Sequence, residues 1–157
     1  MASTITAATL TVKLTEQIKL NGVEQGSSNT LTISGINEIS KRIVTVPTAE
    51  KEIIAMSSAI SSGTFITGDV RYIRITNLDD TYHIGLIFKN INSDEFSVLL
   101  DKGQSYIYNA DLAVGVADTM DSADAAGVVP LAFEDLVNIT ATADTASCDI
   151  EVFVASV

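Results

Sequence analysis

The chain has few of the side chains from which catalytic and metal sites are commonly built. Its 157 residues include one cysteine, one histidine and no tryptophan. One thiol cannot form an internal disulfide, and a structural zinc site needs several cysteine or histidine ligands. Cys148 alternates with Ile150, Val152 and Val154, so it is predicted to be a buried, unreactive thiol. A serine or cysteine nucleophile would depend on His83, and nothing near that histidine marks one.

The scarcity of these side chains argues against an enzyme and against a metalloprotein. Glycine-rich phosphate loops are also absent from the sequence. Carboxylate pairs that cleave glycosides meet in space and stay open here, although a chain without tryptophan offers few aromatic platforms for a sugar. Asp118, Asp121 and Asp124 are spaced three apart, whereas the familiar calcium loop spaces its carboxylates two apart, so a solvated acidic loop is favoured over an ion site. We predict a protein that is not an enzyme and that has no cofactor and no metal.

Basic side chains are scarce in the second part of the chain. Residues 1–89 carry 8 basic and 8 acidic side chains, while residues 90–157 carry 12 acidic ones and a single base, Lys102. Nucleic acids and anionic membranes require clustered Lys and Arg, so neither is an expected partner. The net charge of −11 is interpreted as a solubility feature. No apolar run has membrane-spanning length, and the start lacks the basic and apolar regions of a secretory signal, so neither a membrane span nor a secretory signal is predicted.

Proline is scarce and long stretches with helical periodicity are missing, whereas Ile, Val and Thr are abundant. This composition favours an all-β class. Asn21 and Gly22 form the strongest short hairpin signal, and residues 48–61 are interpreted as a strand and loop rather than a short helix. Eight to ten short strands at regular spacing are typical of a two-sheet antiparallel β-sandwich, jelly-roll-like, here as one domain over residues 1–157. Residues 109–127 are rich in Ala, Asp and Gly and are predicted to form a long loop or an arm.

A central meander is predicted at about residues 70–108, where four strand-like runs are joined by short turns at 77–80, 90–94 and 101–104. The fourth run is expected either to stay in the sheet or to cross to a second one. A hairpin at 77–80 pairs Ile75 with Tyr82, Ile73 with Ile84 and Arg74 with His83; a hairpin at 90–94 pairs Lys89 with Glu95 and Phe88 with Phe96. Both registers place the same apolar set on one face, which is the predicted core: Ile73, Ile75, Tyr82, Ile84, Leu86, Phe88, Phe96, Val98 and Leu100.

The opposite face of this meander is unusually apolar and aromatic for a surface that meets only water. It carries Val70, Tyr72, Ile87, Leu99, Tyr106 and Tyr108. Two interpretations stay open at this point. Either the second sheet or the 109–127 segment covers this face within the same chain, or the face binds another subunit. The six residues are the candidate partner-binding set.

Several sequence segments at predicted strands and turns resemble those of one protein family. The runs YIRITNLDDT at 72–81, IGLIF at 84–88 and LDKGQSYIY at 100–108 are similar to small β-sandwich virion structural proteins of tailed bacteriophages, of the marine and cyanobacterial type. The opening TITAATLTVKLTEQIKLNGVEQGSSNTLTISGINEISKRIVTVP is similar to the same group. The likeness covers most of the chain and weakens between residues 109 and 133. It implies a structural component of the virion that forms symmetric oligomers and is synthesised in the host bacterial cytoplasm, and it assigns no functional residues.

The leading hypothesis is a non-enzymatic virion structural protein, in particular a capsid decoration or cement subunit that binds neighbouring capsid proteins. Its expected partners are the major capsid protein, or neck and tail subunits, and further copies of itself. A neck, tail or fibre-attachment subunit is the alternative within the same class. The alternative from another class is a carbohydrate-binding module, because β-sandwiches with Tyr and Asp on their loops commonly hold sugars.

Overall fold

The computed structural model describes residues 4–109 and 134–157, and the regular structure of these residues is entirely β. Its strands are β1 (Ala8–Thr15), β2 (Lys19–Leu20), β3 (Val23–Glu24), β4 (Ser28–Ile36), β5 (Glu38–Val46), β6 (Lys51–Ser57), β7 (Phe65–Ile66), β8 (Val70–Asn77), β9 (Ile84–Asn90), β10 (Glu95–Leu100), β11 (Ser105–Asn109), β12 (Leu136–Ala143) and β13 (Cys148–Ser156). The predicted loop or arm at 109–127 lies outside the described residues except for Asn109, as do Asp118, Asp121 and Asp124. Among the described residues there is no helix that could span a membrane.

Two sheets form the body of the molecule. Sheet I has the strand order β10-β9-β12-β6-β7, and sheet II has the order β11-β8-β13-β5. Neighbouring strands are antiparallel except for β6 and β7, which are parallel. The β5–β13 ribbon of sheet II continues as the β6–β12 ribbon of sheet I, and the β8–β11 ribbon continues as β9–β10. Antiparallel ribbons folded over in this way give jelly-roll connectivity, so the predicted all-β two-sheet sandwich is confirmed.

The main core lies between the two sheets, where alternate residues of each strand point inward. Of the predicted core set, Ile73, Ile75, Ile84, Leu86, Phe88 and Leu100 are fully buried there, and Tyr82 and Val98 pack against them. Phe96 is partly exposed at the edge strand β10, but its ring stacks on Phe88 with centroids 4.6 Å apart. Cys148 is fully buried in the same core, as its alternation with apolar residues predicted.

The hairpin at residues 90–94 forms in the predicted register. Lys89 pairs with Glu95, and their side chains make an ion pair of 2.5 Å. The side-chain oxygen of Asn90 accepts hydrogen bonds from the backbone N–H groups of Asn92 at 3.0 Å and Asp94 at 2.8 Å. Ser93 takes the positive φ of 70° that the tight loop requires. This loop is therefore closed by its own residues.

The pairing predicted across residues 77–80 is wrong. β8 pairs with β13 and β11, while β9 pairs with β10 and β12, so Ile75 does not face Tyr82 and Arg74 does not face His83. Residues 78–83 instead carry the chain from sheet II to sheet I, and residues 101–104 carry it back. The core set stays together because a ribbon that folds over at a corner keeps one side inward in both sheets.

The buried side chain of Asn77 holds both crossings. Its amide nitrogen donates to the carbonyl oxygens of Tyr82 at 2.9 Å and Leu100 at 3.3 Å, and its side-chain oxygen accepts from the N–H of Asp79 at 3.0 Å. The Asp79 carboxylate then accepts from the N–H groups of Thr81 and Tyr82, each at 2.7 Å. These hydrogen bonds lower the pKa of Asp79. A buried polar residue with its hydrogen bonds satisfied thus fixes the point where the ribbon changes sheets.

A long hairpin near the start of the chain lies against the outer face of sheet II. It is called the arm (Ala8–Ile36) from here on and is a different segment from the one predicted at 109–127. Asn21 and Gly22 form its turn with φ values of 51° and 82°, which confirms the hairpin predicted there and fits a type I′ turn. The arm's base packs on sheet II in a second, smaller core of Leu10, Val12, Leu31, Ile33, Ile36, Tyr72, Phe153, Ala155 and Val157. The sandwich is therefore covered on one side by a third layer.

Candidate functional site: the arm and the outer face of sheet II

The six residues predicted as one partner-binding face do not share a face. Tyr106 and Tyr108 pair with Ile75 and Ile73 and pack inward against the main core. Burial raises the pKa of Tyr106, whose ring also lies 5.1 Å from that of Phe88. The expectation of a single apolar surface opposite the core is therefore wrong in its geometry.

Val70 is fully buried in the main core although it stands two residues from Tyr72, which points outward. The reason is an irregularity in pairing with β13: Tyr72 is opposite Ala155, but Val70 is opposite the very next residue, Ser156. One extra residue on β8, Arg71, reverses the alternation at this point, as a β-bulge does. Local sequence alternation gives no sign of it.

Tyr72 lies on the outer face of sheet II but beneath the arm, with 4% of its surface exposed. Its ring meets Phe153 edge-on at 5.9 Å. Burial raises the pKa of the Tyr72 hydroxyl, and the nearby Arg74 opposes that shift. Tyr72 is therefore covered within the same chain, but by the hairpin of residues 8–36, which the sequence did not indicate as the cover.

Ile87 and Leu99 are the two members of the set that point outward from sheet I. Ile87 is half-buried and Leu99 is 64% exposed. Leu99 stands opposite Gly85, which has no side chain to shield it. A role in partner binding stays a prediction for these two residues.

The prediction missed the apolar side chains exposed on the outer part of the arm, residues 13–28, here called the distal arm. Every residue from 13 to 25 is exposed, including Leu14, Ile18, Leu20 and Val23, which have exposed fractions of 56% to 61%. Leu20 stands opposite Val23, and the N–H of Gln25 donates to the carbonyl oxygen of Ile18 at 2.8 Å. The sequence did show Leu10, Val12, Leu14, Ile18 and Leu20 at one parity. It did not show that sheet II covers only the first part of that stripe.

The two strands of the distal arm approach closely near Glu16. The carbonyl oxygen of Glu16 lies 2.1 Å from the point where a Cβ at residue 26 would sit, so only glycine fits there. The Glu16 carboxylate accepts a hydrogen bond of 2.9 Å from the Ser27 hydroxyl, and the N–H of Glu16 donates to the Ser27 carbonyl oxygen at 2.7 Å. The arm thus stays a paired ribbon over its whole length and is not a pair of loose strands.

A charged cluster lies beside the arm on the outer face of sheet II. Glu151 of β13 forms ion pairs with Lys41 of β5, at 3.0 Å, and with Arg74 of β8. These hydrogen-bonded cations lower the pKa of the Glu151 carboxylate. The Arg74 guanidinium also lies 6.0 Å from the centre of the Phe153 ring. The cluster therefore links three strands of sheet II beside the small core.

His83 and Cys148, two titratable groups singled out from the sequence, contact residues of neighbouring loops. His83 lies beside Asp144, with Nε2 and Oδ1 separated by 3.9 Å. The Cys148 thiol donates to the Ala146 carbonyl oxygen at 3.4 Å, and burial together with the Asp79 carboxylate raises its pKa. A raised pKa keeps a thiol protonated and weakly nucleophilic. Within residues 4–109 and 134–157 there is no group of three His, Cys, Asp or Glu side chains placed to hold a metal ion.

A cleft of about 470 Å³ opens between β5 and the β7 region. Its size is within the range of small-molecule sites. Arg42 projects into the lining but already donates a hydrogen bond to the Ile53 carbonyl oxygen, and Phe65 is the one aromatic side chain in it. In the part of the chain that the structure describes, the most exposed aromatic residue is Phe96, whose ring is stacked on Phe88. The cleft therefore points to no particular ligand.

Comparison of the sequence with protein-family models and with curated proteins found no match.

Proposed function

We propose that the protein is a non-enzymatic structural subunit of a bacteriophage virion, most simply a capsid decoration subunit. The observation that carries the proposal is the distal arm, a paired β-ribbon that displays Leu14, Ile18, Leu20 and Val23 to solvent. Apolar side chains held on a projecting ribbon are poorly suited to a free monomer and well suited to an assembly contact. The resemblance of the strand and turn segments to virion proteins supplies the identity of the assembly.

The dimensions of the arm suit this role. At about 3.3 Å for each residue of a strand, the eight residues from Lys13 to the turn span on the order of 25 Å. Burying a half-exposed Leu, Ile or Val side chain contributes about 1 kcal/mol. Four such side chains give a modest contact for each copy, which becomes strong when many copies bind one particle together. A repetitive capsid surface offers that arrangement.

The experiment that tests the proposal shortens the arm. Because Glu16 and Ser27 form a hydrogen-bonded pair, as Leu20 and Val23 do at the natural turn, replacing residues 17–26 by Asn-Gly closes the ribbon with a two-residue turn. We expect the shortened chain to melt like the parent, because the removed side chains are exposed, and to lose most of its binding to phage capsids assembled without it. Co-sedimentation measures the binding.

The matched control is the variant Lys19→Ser, which changes an exposed polar residue of the arm and leaves its apolar side chains in place. It should bind like the parent chain. Isolated tails used in place of capsids distinguish the neck or tail alternative from the capsid decoration role. Binding to a glycan array without affinity for capsids or tails would contradict the proposal and favour a carbohydrate-binding module.

A further inference from the structure

The distal arm carries an apolar–acidic–apolar pattern along one face. Leu14, Glu16 and Ile18 have the same parity, and alternation puts residues of one parity on one side of a strand. Leu14 continues the face through which Leu10 and Val12 pack on sheet II. Glu16 is exposed, and within the described residues its carboxylate accepts one hydrogen bond, from the Ser27 hydroxyl. The inner part of this face, Leu10 and Val12, therefore packs on sheet II, while its outer part, with Leu14 and Ile18, is exposed.

The outer face of β5 carries the complementary pattern, apolar–basic–apolar. Ile39, Lys41 and Ile43 stand opposite Ala155, Phe153 and Glu151 of β13, on the same outer side of sheet II as the small core. Ile39 and Ile43 are 57% and 65% exposed, and the Lys41 side chain is 59% exposed despite its ion pair with Glu151. This surface therefore continues the one on which the arm's base already rests.

The arm of the same molecule does not reach this surface. From its base the arm crosses sheet II over Tyr72 and Phe153, and Leu14 then lies with Ile107 and Asn109 around a shallow groove at β11. β11 and β5 are the opposite edges of sheet II. The distal arm consequently leaves the sheet on the side away from Ile39, Lys41 and Ile43.

We propose that the distal arm of one copy packs on the outer face of β5 of a second copy, with Leu14 and Ile18 against Ile39 and Ile43, and with Glu16 paired to Lys41. In both triplets the charged residue is central, so the ion pair forms whichever way the two strands run. Because the arm and its receiving surface lie at opposite edges of one sheet, the contact is head-to-tail, an arrangement that forms a ring where the rotation between copies closes. The inference rests on the proposed assembly function and names the partner of the arm.

Both surfaces offer apolar and polar groups to such a contact. Leu20 and Val23 extend the apolar face of the arm, and the arm's backbone and the polar side chains beside it add to the contact. Specific association needs an interface of at least about 1,000 Å², and the receiver contributes the exposed Ile39 and Ile43 to it. In a closed ring each copy makes the contact twice, once through its arm and once through β5, so that releasing one copy requires two interfaces to break.

The test is a charge exchange on the full chain, with the oligomer measured by sedimentation velocity over a range of concentrations. We expect Glu16→Lys and Lys41→Glu each to weaken self-association about tenfold or more, since each places like charges together. The double variant should recover part of the lost affinity, because it restores an opposite pair between copies, although Glu151 keeps only Arg74 as its partner within each copy. Lys102→Glu makes the same charge change at an exposed turn away from both surfaces and should leave the oligomer unchanged.

Other outcomes separate this inference from the proposed function. A double variant as weak as the single ones, or single variants that associate like the parent, would overturn the arm–β5 contact. Ile18→Ser with unchanged mass but reduced capsid binding would overturn it as well, and would assign the arm to a different protein. A chain that is monomeric at every concentration yet binds capsids removes the contact and keeps the virion role. An oligomer rescued by the charge exchange, with no affinity for capsids or tails, supports the contact and removes the virion role.

Discussion

Asn77 shows how one side chain determines the path of the ribbon. Its amide and carbonyl groups bond to Tyr82, Leu100 and Asp79, which belong to both of the crossings between the sheets. An apolar replacement would leave these backbone groups buried without partners. Each buried unpaired group costs about 1–3 kcal/mol. The corner is therefore more sensitive to a change of hydrogen-bonding group than to a change of side-chain volume.

We expect Asn77→Ala to lower the free energy of unfolding by about 3 kcal/mol, because it removes three hydrogen bonds at a buried position. Urea denaturation followed by circular dichroism measures the change. Asn92→Ala, at an exposed loop position, is the control and should be close to neutral. Equal stabilities for the two variants would show that Asn77 does not hold the corner.

Glu151 gives the stability of the protein a specific dependence on pH. Its pKa is lowered in the folded chain by Lys41 and Arg74, so its contribution is fully present above its unfolded pKa and is lost as the pH falls through the lowered folded value. We expect Glu151→Gln to reduce the melting temperature at pH 7 and the difference from the parent to shrink below about pH 4.3. Melting curves at pH 7, 5 and 3 measure this. Glu38→Gln is the control, and a difference independent of pH would contradict the assignment.

At the scale of the element, the two predicted hairpins show what local sequence can and cannot determine. The 90–94 loop formed as predicted because Asn90 bonds to residues of its own loop, Asn92 and Asp94. The 77–80 segment has similar turn residues, but Leu78 donates to the carbonyl oxygen of Asp149 and Asn77 bonds to Leu100. Those partners are distant in sequence, so the alternation of residues predicted the core faces correctly and the sheet membership wrongly.

The candidate site followed the same division. Alternation identified the apolar parity of the arm, and the Asn21–Gly22 pair identified its turn. Which part of an apolar face stays exposed depends on where the arm crosses sheet II, and that is fixed by distant residues such as Tyr72 and Phe153. The bulge that turns Val70 inward likewise depends on its pairing with β13. The predicted contact set therefore mixed buried, covered and exposed residues.

The arm's base should be separable from the sandwich. Ile33 is buried in the small core and not in the main one, so Ile33→Ala should weaken the packing of the arm by about 3 kcal/mol and leave the two sheets closed. Hydrogen exchange followed by mass spectrometry should show lost protection in β1 and β4 and unchanged protection in β9 and β12. Thr32→Ala, on the exposed side of the same strand, is the control. Uniform loss of protection in all strands would contradict a separable third layer.

At the scale of the whole molecule, the charge distribution is compatible with contacts between copies. The net charge of −11 arises from residues 90–157, while residues 1–89, which include the arm and β5, carry equal numbers of acidic and basic side chains. The surfaces proposed to meet therefore belong to the electrically balanced part of the chain. The acidic remainder opposes association of copies elsewhere, because like charges repel.

The positions of β12 and β13 have a consequence for synthesis. They follow every other described strand in chain order, yet β12 lies between β9 and β6, and β13 lies between β8 and β5. Until β12 and β13 leave the ribosome, β9 and β6 lack the strand that joins them in sheet I, and β8 and β5 lack the strand that joins them in sheet II. The apolar faces of these four strands therefore stay incompletely covered until the end of synthesis. Translation that stops early would therefore release an aggregation-prone fragment instead of a smaller folded unit.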